Sequence, residues 1–397
     1  MTSPGDPTRV LRFGAAGLGR AFTLMLPTLR ADPRMEARER FRADFAAPAY
    51  ASVEELCEDP DVEVVYVATP HGLHAVHAIA AARRGKHVLV EKPMAVTLDE
   101  CAAMVDAAER AGVQLVVGHS HGFDAPIARA RELIASGAYG AVGMIHAFYF
   151  TDFLYRPRRP EELDSARGGG VIWNQAAHQV DIVRLLGGGE VTRVRAAIGS
   201  FDPQRCTEGA YAALLSFAGG AFASLVYSGH GHFDGDEFCG ATSEMGFAKD
   251  PSAYGAARRA LAAADDAQAE LALKHARNYG GPDHRGGAPQ RPVGHQHFGT
   301  YIVSCERADL RPLPTGVMIY GDDAARLDAL APPLIPRREV IDELHAAIAE
   351  GKAPLHDGRW ARATLAVCLA LRQSARERGE VVPGHQVRVP EAARSVG

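Results

Sequence analysis

Three things are scarce in this chain of 397 residues. Its six cysteines (Cys57, Cys101, Cys206, Cys239, Cys305, Cys368) are scattered without a C-x-x-C pair, which argues against a disulfide frame or a zinc site and for reduced thiols in a cytoplasm. Positive charge is not in excess: 43 Lys and Arg stand against 48 Asp and Glu, a formal charge of -5. The Arg-rich pieces lie among acids, so nucleic acid is not an expected partner. No apolar run approaches a membrane span, and Met1 to Pro7 is polar with no apolar leader segment. What remains, 47% hydrophobic and 23% charged residues, is globular composition in a chain long enough for two domains of about 100 to 200 residues each.

The first 120 residues alternate two patterns. Val10 to Phe13 is a short apolar run that enters Gly14-Ala-Ala-Gly17-Leu18-Gly19 and then a helical stretch from Arg20 to Leu29. Val62 to Ala68 ends in Thr69-Pro70-His71 before a helix over Leu73 to Arg84; His87 to Val90, a helix over Leu98 to Ala111, and Gln114 to Val117 follow. Strands separated by helices of this length predict βαβ units on a parallel sheet. Ligands of such sheets bind beyond the carboxyl ends of the strands, which places Gly17, Gly19, Thr69, Glu91, Lys92 and Gly118 to His121 along one crevice. Gly17 suits a tight turn and Gly19 a close approach of backbone to a pyrophosphate, although Phe22 stands where G-x-G-x-x-G would have its third glycine.

One expected part is missing from the pattern. After the first helix a second strand should return and end in an acid for the adenosine ribose, about 20 residues past the glycine turn. Here Thr28 to Phe41 passes straight into charged helical sequence with no apolar run, as if about ten residues were absent near 32–36. Asp32 is the acid left to take the ribose.

Beyond Phe123, Val142 to Phe150, Val191 to Ile198, Ala210 to Phe217, Ala221 to Ser228, Thr300 to Cys305 and Val317 to Tyr320 read as strands rich in β-branched and aromatic residues. Residues 246–296 interrupt them with a helical stretch, Ala253 to Arg277, and a Gly/Pro/His-rich loop; this insertion is expected near the substrate or at an oligomer contact. Helices over Glu339 to Glu350 and Trp360 to Arg378 close the chain, and 380–397 reads as a tail.

Three motifs carry a resemblance: Ala68-Thr69-Pro70-His71-x-x-His74, Gly85-Lys86-His87-Val88-x-x-Glu91-Lys92-Pro93, and Gly168-Gly169-Gly170 with His178-x-x-Asp181. In order and spacing they resemble the glucose-fructose oxidoreductase and inositol dehydrogenase (Gfo/Idh/MocA) family. Gly17-Leu-Gly-Arg-Ala-Phe-Thr-Leu-Met-Leu-Pro, Gly118-His-Ser-His, the stretch Thr151 to Glu162 and His356-Asp-Gly-Arg-Trp are similar to its phthalate cis-4,5-dihydrodiol dehydrogenases. The resemblance implies an α/β chain: a Rossmann domain over 1–122, and over 123–379 an α+β domain whose large, open, mainly antiparallel sheet makes the contact of a homodimer or homotetramer.

The implied reaction is oxidation of a dihydrodiol with NAD or NADP. Removing a hydride from a carbinol requires the hydroxyl proton to be taken up and the changing charge on oxygen stabilised. Lys92, at the floor of the crevice, suits that task, although a Lys after a strand also reads as a solvated strand end; Pro93 stiffens the turn and permits a cis bond. His178, following the Gly-Gly-Gly turn, is expected to share the proton, although a lone helical His also reads as structural. Asn174, His178 and Asp181 fall on one helix face by spacing, and Asn174 stands where many relatives have Asp. The dinucleotide is expected with its pyrophosphate at Gly17, Leu18, Gly19, Arg20 and Ala21, and its nicotinamide beside Thr69 and Lys92. Pro70, His71, His74 and Glu91 lie on the cofactor side. His121, Asn174 and His178 face substrate, and Arg156, Arg158 and Arg159 offer fork-shaped donors for two ring carboxylates, or else pair with Glu161 and Glu162 on a solvated loop. Several histidines alternate, but no ligand set stands at a recognised spacing, so no metal is assigned. A sugar or polyol dehydrogenase, or a non-catalytic nucleotide- or sugar-binding sensor of the same fold, is the alternative.

Overall fold

The structure, a computed structural model, describes residues 7–17, 35–37, 50, 52–277 and 291–390. It divides into two compact units. One takes in the chain as far as His119 together with Arg337–Arg362; the other begins at Ser120 and excludes that return. The division by sequence at 122/123, with 123–379 in one domain, therefore missed that the helix Arg338–Ala349 serves the first unit. His345 of that helix bonds the carbonyl of Arg9 at 2.7 Å, a pairing that its distance along the chain conceals.

The first unit holds a parallel sheet of β1 (Leu11–Ala16), β2 (Met35–Ala37), β3 (Val64–Val67), β4 (His87–Val90) and β5 (Leu115–Val117) in the order β2-β1-β3-β4-β5. Val64, Val65, Tyr66 and Val67 are fully buried, as expected of a central parallel strand covered on both faces. At about 1.5–3 kcal/mol for each large apolar side chain removed from water, this strand is a main source of the unit's stability. Helices His74–Arg83 and Leu98–Ala111 provide the crossovers; Thr97 and Glu100 form a reciprocal cap at the start of the second, and Gly112 closes it in the left-handed conformation. The second strand that seemed lost is present. Met35–Ala37 pairs with Leu11–Phe13, because an edge strand of three residues is held by backbone hydrogen bonds and leaves no apolar run for sequence reading to find.

The second unit is built on an eight-stranded sheet of β6 (Val142–Phe150), β7 (Val191–Gly199), β8 (Ala210–Phe217), β9 (Phe222–Ser228), β10 (Thr300–Cys305), β11 (Ala308–Leu313), β12 (Gly316–Gly321) and β13 (Ala325–Ala329). Their order is β13-β12-β11-β10-β6-β9-β8-β7, antiparallel apart from the β6–β9 pair. Alternation is plain in β8, where Tyr211, Ala213, Leu215 and Phe217 are buried and Ala212 and Leu214 exposed. The fold class stands as expected. Strands β11 and β13 escaped sequence reading because Pro312 and the charges of Ala308–Leu313 and Ala325–Ala329 hide them.

Two further expectations need correction. The helical stretch of the insertion is two helices, Ala256–Ala262 and Ala267–Ala276, because Asp266 accepts the Ala269 amide and starts a new helix. The segment 380–397 is no free tail over its described part, 380–390. Val381 and Val194 exchange both backbone hydrogen bonds, and Val381 and Val389 are buried. Residues 391–397 lie outside the described residues. Among the described residues no helix is long and apolar enough to cross a membrane.

Candidate active site

In the first unit the chemistry-bearing residues arrive at the carboxyl ends of β1, β3 and β4. Gly17 follows β1 with φ +92°, and a Cβ there would stand 2.6 Å from the carbonyl oxygen of Ala68; only glycine fits where this turn packs against the one after β3. The turn stands at the head of the first strand, the place where sheets of this kind hold the pyrophosphate of a dinucleotide. Leu18, Gly19, Arg20, Ala21 and Asp32 of the expected cradle lie outside the described residues. After β3, Thr69 places its hydroxyl 3.1 Å from Nδ1 of His77. Pro70 precedes the single 3-10 turn His71–Leu73, which runs into the helix His74–Arg83.

His74, buried, has Nδ1 2.9 Å from the carbonyl oxygen of Pro93 and Nε2 2.8 Å from that of Thr69. Burial holds its pKa below the ordinary value, outweighing the two carbonyls that favour charge, so one nitrogen donates in the neutral ring. His74 ties the turn after β3 to the turn after β4. That second turn contains Glu91, Lys92 and a cis Lys92–Pro93 bond. Glu91 is buried and accepts a hydrogen bond from the Tyr66 hydroxyl at 2.5 Å; burial pushes its carboxyl up, with Arg337 opposing. Lys92 is half-buried, held between a locked carboxylate and a locked proline.

In the second unit the Gly-Gly-Gly turn has a steric cause: a Cβ on Gly169 would meet the carbonyl oxygens of Glu161 and Glu162 at 2.6 Å. The chain then enters a π-helical turn, Ile172–Ala176, before the α-helix Ala177–Leu186. Asn174 lies in this π turn, and its side-chain amide donates to the Gly170 carbonyl at 2.8 Å. Asp181 accepts from Ser120 and, at 3.3 Å, from Thr364, so it anchors the helix.

His178 is buried in a cluster of rings. The centroids of His121 and Phe298 each stand 4.8 Å from its own, His121 edge-on. His121, 1% exposed, bonds Asp124 Oδ2 through Nδ1 at 2.6 Å and has Nε2 3.5 Å from Glu244 Oε1. Burial opposes a charge on this ring, but the two carboxylates outweigh it and lift its pKa to about 9. His121 is therefore an imidazolium at neutral pH beside His178. Glu244 in turn lies 3.7 Å from Arg156, whose Nε donates to Asp152 at 2.9 Å.

Arg156 lines a cavity of about 410 Å³ with Tyr149, Thr151, Asp152, Lys249, Tyr254 and Arg258 among its walls. The other two expected carboxylate forks are engaged elsewhere. Arg158 covers the Phe153 ring at 3.6 Å, donates to the Phe153 carbonyl and pairs with Glu162; Arg159 pairs with Glu161 and Glu162. Burial alone would raise the Glu162 carboxyl, but Lys274 and Arg158 hold it at about 2. The insertion braces this loop, since Glu270 accepts from the Arg158 amide at 2.7 Å and takes both arms of Arg205 at 3.0 Å. Sequence reading missed Asp124, Glu244, Phe298 and Arg258. Only Asp124, three residues after His121, had a local signal; the others come from far along the chain.

Residues 27–119 match the Gfo/Idh/MocA oxidoreductase family, NAD-binding Rossmann fold, and residues 127–239 match the Gfo/Idh/MocA C-terminal domain. The chain is 44% identical over 398 aligned residues to 1-carboxy-3-chloro-3,4-dihydroxycyclohexa-1,5-diene dehydrogenase of Comamonas testosteroni, covering 98% of this chain and 100% of that protein. A crystal structure of a protein from Bordetella bronchiseptica RB50 superimposes with a TM-score of 0.88 at 40% identity, covering 94% of this chain and 100% of that one. Levoglucosan dehydrogenase in complex with NADH and levoglucosan, at 19% identity and a TM-score of 0.68 over 95% of this chain and 100% of that one, shares the fold. The ring cluster, the cis-proline turn and the glycine at the head of β1 thus belong to a member of the Gfo/Idh/MocA oxidoreductase family with its NAD-binding Rossmann fold.

Proposed function

We propose that this chain is an NAD- or NADP-dependent dehydrogenase that oxidises a cis-dihydrodiol of a carboxylated cyclohexadiene. Its substrate is assigned as phthalate 4,5-cis-dihydrodiol, which it converts to 4,5-dihydroxyphthalate during breakdown of an aromatic acid in the cytoplasm. The observation that carries the reading is Lys92 at the carboxyl end of β4, between the buried Glu91 and Pro93, in a chain matched from end to end by a protein named for a carboxylated dihydroxycyclohexadiene. When bound, the nicotinamide supplies the acceptor for the hydride. Lys92 and His178 are assigned the hydroxyl proton of the carbinol. The ketone formed then loses the hydrogen of the neighbouring carbinol carbon and gains a proton on oxygen, giving the aromatic catechol, so oxidation is the favoured direction. No metal enters this scheme. Reduced-nicotinamide absorbance read over a panel of carboxylated dihydrodiols, plain dihydrodiols and polyols with NAD and NADP tests it; equal use of carboxylated and plain dihydrodiols removes the phthalate assignment.

A polyol substrate is the second reading, and one observation favours it. The cavity walls carry the carboxylates of Asp152, Asp234, Asp236, Glu237 and Asp250 against the cations Arg156, Lys249 and Arg258, a balance that suits hydroxyl groups better than an anion. The same panel separates the two.

We also infer that copies pair through the outer face of the eight-stranded sheet. Met144 and Phe222 are register partners in β6 and β9, and with Leu214 they are 37–48% exposed on that face. Light scattering of the Leu214→Glu, Phe222→Glu double variant should report a smaller particle than the unaltered protein.

A further inference from the structure

We propose that Arg258, on the insertion, is the residue that recognises a carboxylate of the substrate. This rests on the reading of the enzyme as a dehydrogenase of carboxylated dihydrodiols.

Three Lys or Arg side chains line the cavity, and two are already neutralised. Arg156 has Asp152 at 2.9 Å and Glu244 at 3.7 Å, and Lys249 is bonded to Asp234 and, at 2.7 Å, to Asp236. Arg258 differs. Among the described residues no carboxylate comes within 4 Å of it. Its guanidinium carbon stands 3.4 Å from the centroid of the Tyr155 ring, and one terminal nitrogen donates to the carbonyls of His230 at 2.8 Å and Gly231 at 3.2 Å. These contacts fix the plane of the group without cancelling its charge. Its Nε and second terminal nitrogen have no bond to any described residue.

A part-buried cation with a fixed orientation, free donors and no counter-ion is built to receive an anion. The planar fork matches a carboxylate through two parallel hydrogen bonds. The carboxylates of the cavity, though they outnumber its cations, do not engage Arg258. Asp152, Asp234 and Asp236 are the ones paired to Arg156 and Lys249, while Glu237 and Asp250 are exposed residues of its wall. The arrangement also accounts for the insertion, whose residues Lys249 to Arg258 contribute a wall of the cavity: it brings to the site a cation that the sheet does not supply.

The test uses the full-length protein with two variants and two readouts. In steady-state kinetics with the carboxylated dihydrodiol, Arg258→Gln should raise KM about 10- to 100-fold, the loss expected for a hydrogen bond between charged groups, and leave kcat within about twofold. Arg258→Lys, which keeps the charge and loses the fork, should fall between. A dihydrodiol without a carboxylate should give the same KM in all three proteins. Independently of turnover, calorimetric titration with phthalate should show binding to the unaltered protein and none to Arg258→Gln, with the two unfolding at the same temperature. Equal phthalate affinity in the two proteins, or KM rising equally for both diols, overturns the proposal. If no dihydrodiol is oxidised while phthalate binding still depends on Arg258, the dehydrogenase reading fails and the anion site stands.

Discussion

Nδ1 of His74 lies 2.9 Å from the carbonyl oxygen of Pro93, so the helix that follows one strand fixes the turn that follows the next. Lys92 sits immediately before that proline. Replacing His74 by Ala leaves two buried carbonyls to find other partners and lets the turn relax. Turnover is expected to fall about 10-fold or more, and stability by about 1–3 kcal/mol. Kinetics and thermal unfolding of His74→Ala check both; full turnover at an unchanged unfolding temperature would remove the positioning role.

Lys92→Met and His178→Ala are each expected to lower turnover by about 10² to 10⁴-fold while dinucleotide affinity stays nearly intact. Single-turnover kinetics beside calorimetric titration of the dinucleotide separates the two quantities. Near-normal turnover in both variants would sink the assignment of the proton to this pair.

Gly17→Ala sets a methyl group 2.6 Å from the Ala68 carbonyl at a φ of +92°, where both contact and backbone are unfavourable. The turn must move, and dinucleotide affinity should drop at least about tenfold while secondary structure by circular dichroism is retained. An unaltered dissociation constant would mean that the cofactor does not use this turn.

The His121 cluster predicts a pH-dependent stability. Burial disfavours the charged ring, yet Asp124 and Glu244 raise its folded pKa to about 9, above an unfolded value of about 6.5. A raised folded pKa means that the stabilisation is fully present below about pH 6.5 and is lost as pH rises through about 9, an amount of about 3 kcal/mol by linkage. Thermal unfolding of the unaltered protein and of His121→Asn, compared from pH 6 to pH 10, should show the gap between them closing as pH rises. A constant gap would show that the ring is not charged.

What could be read in the sequence, and what could not, divides by the range of the interaction. The parallel sheet, the glycine turn and the Glu91-Lys92-Pro93 turn rest on local patterns, since a run such as Val64–Val67 or a proline after a strand has its structural cause within a few residues. The strand Met35–Ala37 was invisible because its partner is Leu11–Phe13, and edge pairing leaves no mark on three residues. The π turn that holds Asn174 was hidden because it has no compositional signal. For Arg158 two readings stood open, a substrate carboxylate or a pairing with Glu161 and Glu162; the loop gives it Glu162 and, with no local signal, the Phe153 ring. Glu244 and Arg258 reach the site from segments that only the tertiary fold brings there.

The clamps between the insertion and the loop before the Gly-Gly-Gly turn have an evolutionary consequence. Glu270 and Lys274 hold Arg158, Arg205 and Glu162 through short contacts, and the cavity wall rides on the same segment. None of these residues lies in the turns that carry Gly17, Thr69 or Lys92. Under the proposed function, a lineage that rewrites this one segment reshapes the cavity offered to substrate and leaves the residues of those turns as they are.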